Sequence, residues 1–589
     1  MKLDNQLLQY FESNLLDSAL ILGKKILKDD PKNLNALLIY SLTLAKKENY
    51  YEAIKNFKKL CDLNPTNIDY RINLAISQKK NNQFNEAIES FKKIKNYEFN
   101  DKVLVEIATC YAELKLFIDA ENILLKSIKQ NNLNNIAWCN LGNVKIETNQ
   151  DRRAIKFLIK SLRIDDTYPV CWTNLGNALN HIGKHNWALN CHEKSLKLFP
   201  NSAAAWSNAG STLIDLKYYE LALDYFESAL KINNNFADAL INKSYLKSIL
   251  GKSEEAKKIN LQALSIHKDS VQINYNLAHI YLAEMNFLEG WKQYEWRWKT
   301  REFNSAPITT SKPIWNGKDF AVRLYVWAEQ GLGDQILYAS MFHELRASVQ
   351  TLTVGVDQKL LILFRRSFPN IEFFDKNFIV SEENYDAHIP IGSLGQFFRR
   401  EKKDFETVKY PYLTVCDEKY QLLKKKLVQP SVKLVGLSWL SKNEKIGSFK
   451  SIQLSELLPI LTVSNTKFID LQYTDTTTER EQLRKEYGIN IEKMNSIDNF
   501  NDIDGLAALI MCCDLIITTS NTTAHLAGAI GKQVILLLPF SKGRFWYWHH
   551  ENKKSLWYPS VTVNEQLKMD DWLEVIQDVA NNISLEQKK

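Results

Sequence analysis

Two loops in the second half of this 589-residue chain carry residue types whose spacing suits group transfer. The first is Gln330-Gly331-Leu332-Gly333-Asp334, between the strand-like run RLYVWAE and a helical stretch reaching Leu345. Its glycines permit a tight strand-to-helix turn and close approach of another group, and a carboxylate just beyond can serve as a general base. An acid at that point also caps its own helix, worth about 1 kcal/mol, so the local pattern leaves both roles open. The second loop is Thr518-Thr519-Ser520-Asn521-Thr522-Thr523, followed by AHLAGAIG. Hydroxyl and amide residues ahead of an exposed helix N-terminus make an anion site suited to phosphates, although the same residues also describe a capped helix. The loop lacks GxxxxGK[ST] and a paired-glycine dinucleotide fingerprint, which argues against a P-loop hydrolase and a dehydrogenase.

Loops of this kind need strands behind them. Short β-rich runs at 323–329, 432–440, 467–473, 514–520 and 534–540 alternate with helical stretches, which predicts an α/β region of two Rossmann-like lobes. A boundary near Gln429-Pro430 divides this region into lobes over 301–430 and 431–589. Ligands in open α/β sheets sit at the carboxyl ends of strands, where both loops lie.

The first 300 residues read differently. A small residue recurs at Ala19, Ala53, Ala87, Ala120, Ala154, Ala188, Ala222, Ala256 and Gly290, spaced by 34 residues except for one interval of 33. Trp138, Trp172, Trp206 and Leu240 stand sixteen residues ahead of four of these. This is the tetratricopeptide (TPR) period: a large residue on one helix meets a small one on the next, and stacked hairpins share a core. About nine repeats fit into 1–300, giving an all-α superhelix. Asn140, Asn174, Asn208, Asn242 and Asn276 share one repeat position, with Asn73 further upstream. An amide offers a donor and an acceptor, which suits the backbone of an extended peptide; bonding to the neighbouring helix is the alternative.

Composition narrows the class. The chain is 45% hydrophobic and 24% charged, with a formal net charge of +7 spread along its length, which argues against a nucleic-acid partner. Its eight cysteines show no metal-ligand spacing and suit a reducing compartment. No apolar run reaches the length of a transmembrane segment and the start MKLDNQLLQYF lacks a signal pattern, so a cytoplasmic location is expected.

The blocks VWAEQGLGDQILYASMFHEL, SNTTAHLAGAIGKQVILLLPF and SLWYPSVTV, with the join GWKQYEWRW, together resemble TPR-fused bacterial glycosyltransferases related to the ADP-heptose heptosyltransferases. The array resembles that of protein O-GlcNAc transferases, in which an asparagine ladder grips the acceptor polypeptide. The resemblance implies a GT-B fold, a nucleotide-diphosphate sugar as donor substrate, no cofactor and no metal. It implies that Asp334 is the general base on the acceptor hydroxyl. Lys450 matches the residue that neutralises the donor diphosphate, with a solvated surface lysine as the alternative. Asn521, Thr522, Thr523 and His525 match the pyrophosphate contacts, with a packed core histidine as the alternative for His525. Arg544 reaches the phosphates or the sugar, or stacks among the nearby tryptophans. Two departures leave the donor sugar open: Ser520 stands where heptosyltransferases carry an acid, and there is no NGHTT-like block. The expectation is a hexosyl- or heptosyltransferase that O-glycosylates a polypeptide held by the array, such as a surface or flagellar protein. The alternatives are transfer to a lipid-linked or oligosaccharide acceptor, and a TPR adaptor with an inactive transferase domain.

Overall fold

The computed structural model describes residues 2–300, 303, 305–443 and 446–586. Residues 301 and 589, which bound expected domains, lie outside them. The chain divides into two compact units, Met1–Asn242 and Lys243–Lys589. The division falls before the end of the repeats, so the last hairpins group with the α/β region.

The first unit is a stack of antiparallel helix pairs. Helices Asn135–Glu147 and Asp151–Ile164, then Pro169–His181 and His185–Leu198, then Ala203–Asp215 and Tyr219–Ile232, show the pattern. The recurring alanines, Ala19 through Ala222, are fully buried. The packing is reciprocal. Gly142, Gly176 and Gly210 lie on the first helix of each pair, where a β-carbon would fall 2.5–2.6 Å from Leu158, His192 and Phe226 on the second. The three indoles Trp138, Trp172 and Trp206 each donate to a carbonyl six residues back, at Asn132, Asp166 and Pro200, fixing where the helix starts. Each pair turns through one left-handed residue, at Asn14, Glu48, Asn82, Lys115, Asn149, Gly183 and Lys217. The single 33-residue interval coincides with a helix that stops early at Lys92 and a 3-10 turn at Tyr97–Phe99.

The second unit begins within helix Ala237–Ile249 and continues with helices Ser253–Ile266, Val271–Ala283 and Phe287–Tyr294. Its strands are β1 (Arg323–Trp327), β2 (Thr351–Val356), β3 (Glu372–Asp375), β4 (Ala387–Pro390), β5 (Lys433–Ser438), β6 (Thr466–Asp470), β7 (Ile491–Glu492), β8 (Leu515–Thr519), β9 (Val534–Leu538), β10 (His550–Glu551), β11 (Lys554–Ser555) and β12 (Val561–Glu565). Among the described residues they form a parallel sheet in the order β3-β2-β1-β4 and a larger sheet in the order β10-β11-β12-β9-β8-β5-β6-β7. The larger sheet is parallel from β12 to β7, with an antiparallel margin at β10 and β11. Strand order reverses between β1 and β4 and again between β5 and β8. At such switch points the connections leave on opposite faces and open a crevice beyond the strand ends. A large apolar core in this unit takes in Phe287 and Trp291, Val326 of β1 and Leu536 of β9.

His192 breaks the apolar pattern of the array. Leu158 and Phe226 hold the same position in adjacent pairs, whereas this imidazole is fully buried and neither ring nitrogen has a partner among the described residues. Burial lowers its pKa to about 4. The unfolded chain therefore binds a proton from about pH 6.5 downward while the folded chain resists until about pH 4, so stability is lost across that window as pH falls. His192→Leu is expected to raise stability by about 1–3 kcal/mol at pH 7 by removing unsatisfied nitrogens, and by about 2 kcal/mol more at pH 5. Urea denaturation of the full chain at both pH values measures this. An equal shift at pH 5 and pH 7 would contradict the assigned protonation.

Candidate functional site

The loop after β1 is strapped on several sides. Arg297, wholly buried, donates to Glu329 at 2.8 Å, to Ser393 Oγ at 2.8 Å and to Glu295 at 2.8 Å. Burial pushes Glu329 up to about 7 while the Arg297 charge pulls it back. Gln330 Nε2 donates to Tyr294 Oη at 2.7 Å, and Gln335 Nε2 donates to the Gln330 carbonyl at 2.9 Å. Gly331 then caps the helix Leu332–Ala339, and Asp334 lies in its first turn. Asp334 keeps intermediate solvent exposure, yet the protein mass around it raises its pKa to about 6. The Gly331 backbone N–H and the Lys450 charge act in the opposite direction.

The loops after β5 and β8 meet the first one. Lys450, 4% exposed, ends the short helix Gly447–Lys450 and donates to the Ser520 carbonyl at 2.7 Å. Its ammonium lies 4.7 Å from the centre of the Phe545 ring. Burial lowers its pKa to about 8, against the pull of Asp334. The solvated-surface alternative for Lys450 therefore does not hold. Asn521 caps the helix Thr522–Ile530: its Oδ1 accepts from the Thr523 and Ala524 backbone N–H groups, and its Nδ2 donates to Ser438 Oγ at 2.8 Å. Those two amides are thus engaged by the cap. Thr523 is buried, while Thr522 is half-buried with a hydroxyl that has no partner among the described residues.

His525 lies beneath, 3% exposed, with Nδ1 3.0 Å from Tyr558 Oη and its ring stacked on Trp548. This is a packed histidine, and desolvation holds it neutral with a pKa of about 3. The ring edge faces the first loop. A β-carbon on Gly333 would fall 2.9 Å from His525 Cδ2, so the missing side chain is what lets helices Leu332–Ala339 and Thr522–Ile530 pack together. Ser520 Oγ accepts from Trp548 Nε1 at 2.8 Å.

The structure thus brings the loops that carry Asp334, Lys450 and Asn521–His525 together, with Lys450 close enough to lower the Asp334 pKa and His525 against Gly333. Arg544 pairs instead with Glu565 at 2.6 Å, which also bonds His550. Sequence reasoning missed the aromatic wall. The Asp334 charge helps to raise the phenol pKa of Tyr294, Tyr338 and Tyr547, which places all three rings near it. Tyr547 stands within the aromatic run FWYW, and Tyr294 within GWKQYEWRW, so the available signal was a local excess of rings.

In the array the ladder asparagines are half-buried. Asn140 Nδ2 donates to Thr109 Oγ1 at 3.4 Å, Asn174 to Cys139 Sγ at 3.6 Å and Asn242 to Ser207 Oγ at 3.3 Å, each reaching back to the preceding repeat. These bonds are long. The amide thus serves its neighbour weakly through nitrogen, and its oxygen makes no hydrogen bond among the described residues in the first unit. In the second unit, Asn276 accepts from Gln272 Nε2 at 3.0 Å.

The family described as anaphase-promoting complex, cyclosome, subunit 3 matches residues 12–94, and the tetratricopeptide repeat family matches 136–168 and 203–236. Protein FlbA of Caulobacter vibrioides is 29% identical over 354 residues, 55% of this chain and 58% of FlbA. The chain therefore spans little more than half the length of the curated relative it matches. Among solved structures, the Cut9-Hcn1 heterotetramer is similar with a TM-score of 0.37 and 18% identity, covering 45% of this chain and 52% of that one. A tetratricopeptide repeat protein from Parabacteroides merdae has a TM-score of 0.35 and 16% identity, covering 41% of this chain and 95% of that one. No described helix is long and apolar enough to cross a membrane. The chain carries tetratricopeptide repeats and is similar in sequence to FlbA.

Proposed function

We propose that this chain is a nucleotide-sugar-dependent glycosyltransferase of GT-B type that modifies hydroxyl groups of a polypeptide held by its repeats. The observation that carries the reading is an acid and a cation from loops of two sheets, each after a switch-point strand, near enough for each to feel the other's charge. Burial raises Asp334 to about 6 and lowers Lys450 to about 8, so near neutral pH one is an available base and the other still charged. In the reaction, the acceptor hydroxyl gives its proton to the Asp334 carboxylate as its oxygen bonds to the anomeric carbon of the donor sugar. The bond from that carbon to the diphosphate breaks, and its electron pair leaves with the nucleoside diphosphate. Lys450, the Thr522 hydroxyl and the positive end of the Thr522–Ile530 helix dipole stabilise that charge. No metal is required in this scheme. Asn140, Asn174, Asn208, Asn242 and Asn276 take the polypeptide backbone.

Transfer measured against pH is expected to rise through about pH 6 as Asp334 ionises and to fall through about pH 8 as Lys450 loses its proton. Asp334→Asn should lower turnover by about 10²–10⁴-fold, leave donor affinity nearly intact and remove the acid limb of the profile. Asparagine still suits the first helical turn, so wild-type turnover in a stably folded Asp334→Asn protein would make the acid a cap and no more.

A second expectation concerns the ladder. Replacing Asn174, Asn208 and Asn242 together by alanine should weaken acceptor binding at least tenfold, about 1.4 kcal/mol, with helicity and donor affinity unchanged. Mass spectrometry of candidate acceptors, with and without the chain, supplies the substrate. Normal glycosylation by the triple variant would reduce the ladder to inter-repeat bonding.

A further inference from the structure

The first helix of the last repeat, Val271–Ala283, carries the imidazole of His279. His279 lies one turn beyond Asn276, so the two side chains share a helix face. Its ring meets Tyr275 edge-on at 4.6 Å between centroids and Tyr294 at 6.3 Å, and it makes no hydrogen bond to any described residue. His525 and His549, by contrast, are tied to Tyr558 Oη and to the Trp546 carbonyl. His279 is only half-buried, and its nitrogens are not among the sealed, unpartnered atoms of the described residues, so they remain reachable. Surrounding protein lowers its pKa to about 4, leaving a neutral ring with one donor and one acceptor.

Its position gives that ring a use. Tyr294 bonds Gln330 of the GLGD loop at 2.7 Å and is close enough to Asp334 to feel its charge. Tyr294 thus has both the acid and His279 as neighbours. In repeat register, the position of His279 is held in the four preceding repeats by Asn143, Asn177, Ser211 and Tyr245, all polar and uncharged. We infer that His279, with Asn276, contacts the acceptor polypeptide beside the residue being modified and so holds its hydroxyl toward Asp334. This rests on the proposed polypeptide acceptor. His279 is a positioning residue for that substrate, and the partner it fits is an uncharged, extended segment whose backbone or hydroxyl groups bond a neutral imidazole.

The test uses the full chain, an array of synthetic peptides containing serine or threonine, and a mixture of UDP-, GDP-, ADP- and CMP-sugars. With a peptide that accepts sugar from the wild-type chain, His279→Ala and His279→Phe should each raise the peptide KM about tenfold while the donor KM moves less than twofold. His279→Gln should recover most of the loss. The phenylalanine variant preserves packing on Tyr275 and Tyr294, so it separates lost hydrogen bonding from lost structure. A wild-type peptide KM in His279→Phe would overturn the assignment alone. If the wild-type chain neither binds nor modifies any peptide, the polypeptide-acceptor reading falls and this assignment falls with it.

Discussion

At Gly333 the chain has no side chain, and the His525 ring comes within van der Waals reach of where one would begin. Everything proposed for the second unit depends on that contact. It seats the first turn of the Leu332–Ala339 helix against the Thr522–Ile530 helix, so loops from two separate sheets come together. The contact is held from behind by stacked rings: His525 on Trp548, with Tyr547 edge-on at 5.2 Å. Packed interiors deform little, so this arrangement fixes the approach of Asp334 to Lys450. The shifted titration of both groups follows from the same enclosure.

The last hairpin of the array completes that enclosure. Trp291 donates to the Arg399 carbonyl at 2.7 Å and packs edge-on against Trp546 at 5.2 Å, while Arg297 is buried against Glu329. Gly251 and Phe540 touch in the same unit. The repeats therefore end as part of the α/β region, which is the physical reason the compact division falls at Asn242 and not near residue 300. Burying an ion pair such as Arg297–Glu329 gives little net stability, but removing one partner costs about 3–5 kcal/mol. Its role here is to fix the loop that carries Asp334.

The repeats were legible because alanine at a 34-residue interval reports helix contact directly, and each such alanine in the first unit is buried. The left-handed turn residues were harder to see, since Glu48, Lys115 and Lys217 serve where asparagine or glycine would be expected. Strands β1, β5, β6, β8 and β9 stood out as apolar runs. β4 was missed because AHIP is four residues long and ends in proline, and β7 because it has only two residues. At the site, Asp334 and Asn521 were visible as loop chemistry, and Lys450 through the resemblance. His525 as a spacer, Ser520 as the acceptor for Trp548 and the engagement of Arg544 by Glu565 depend on contacts between distant segments, which local pattern does not carry.

The central claim is that Asp334 and Lys450 flank a site for a nucleoside diphosphate. Calorimetric titration of UDP, GDP, ADP and CDP into the full chain, wild type and Lys450→Ala, addresses it most directly. The account predicts that at least one of the four binds the wild-type chain. It also predicts that affinity for that nucleotide falls about 10–150-fold in the variant, the loss expected for one charge-assisted contact of about 1.5–3 kcal/mol. Binding that is unchanged in Lys450→Ala, or no binding of any of the four, would contradict it.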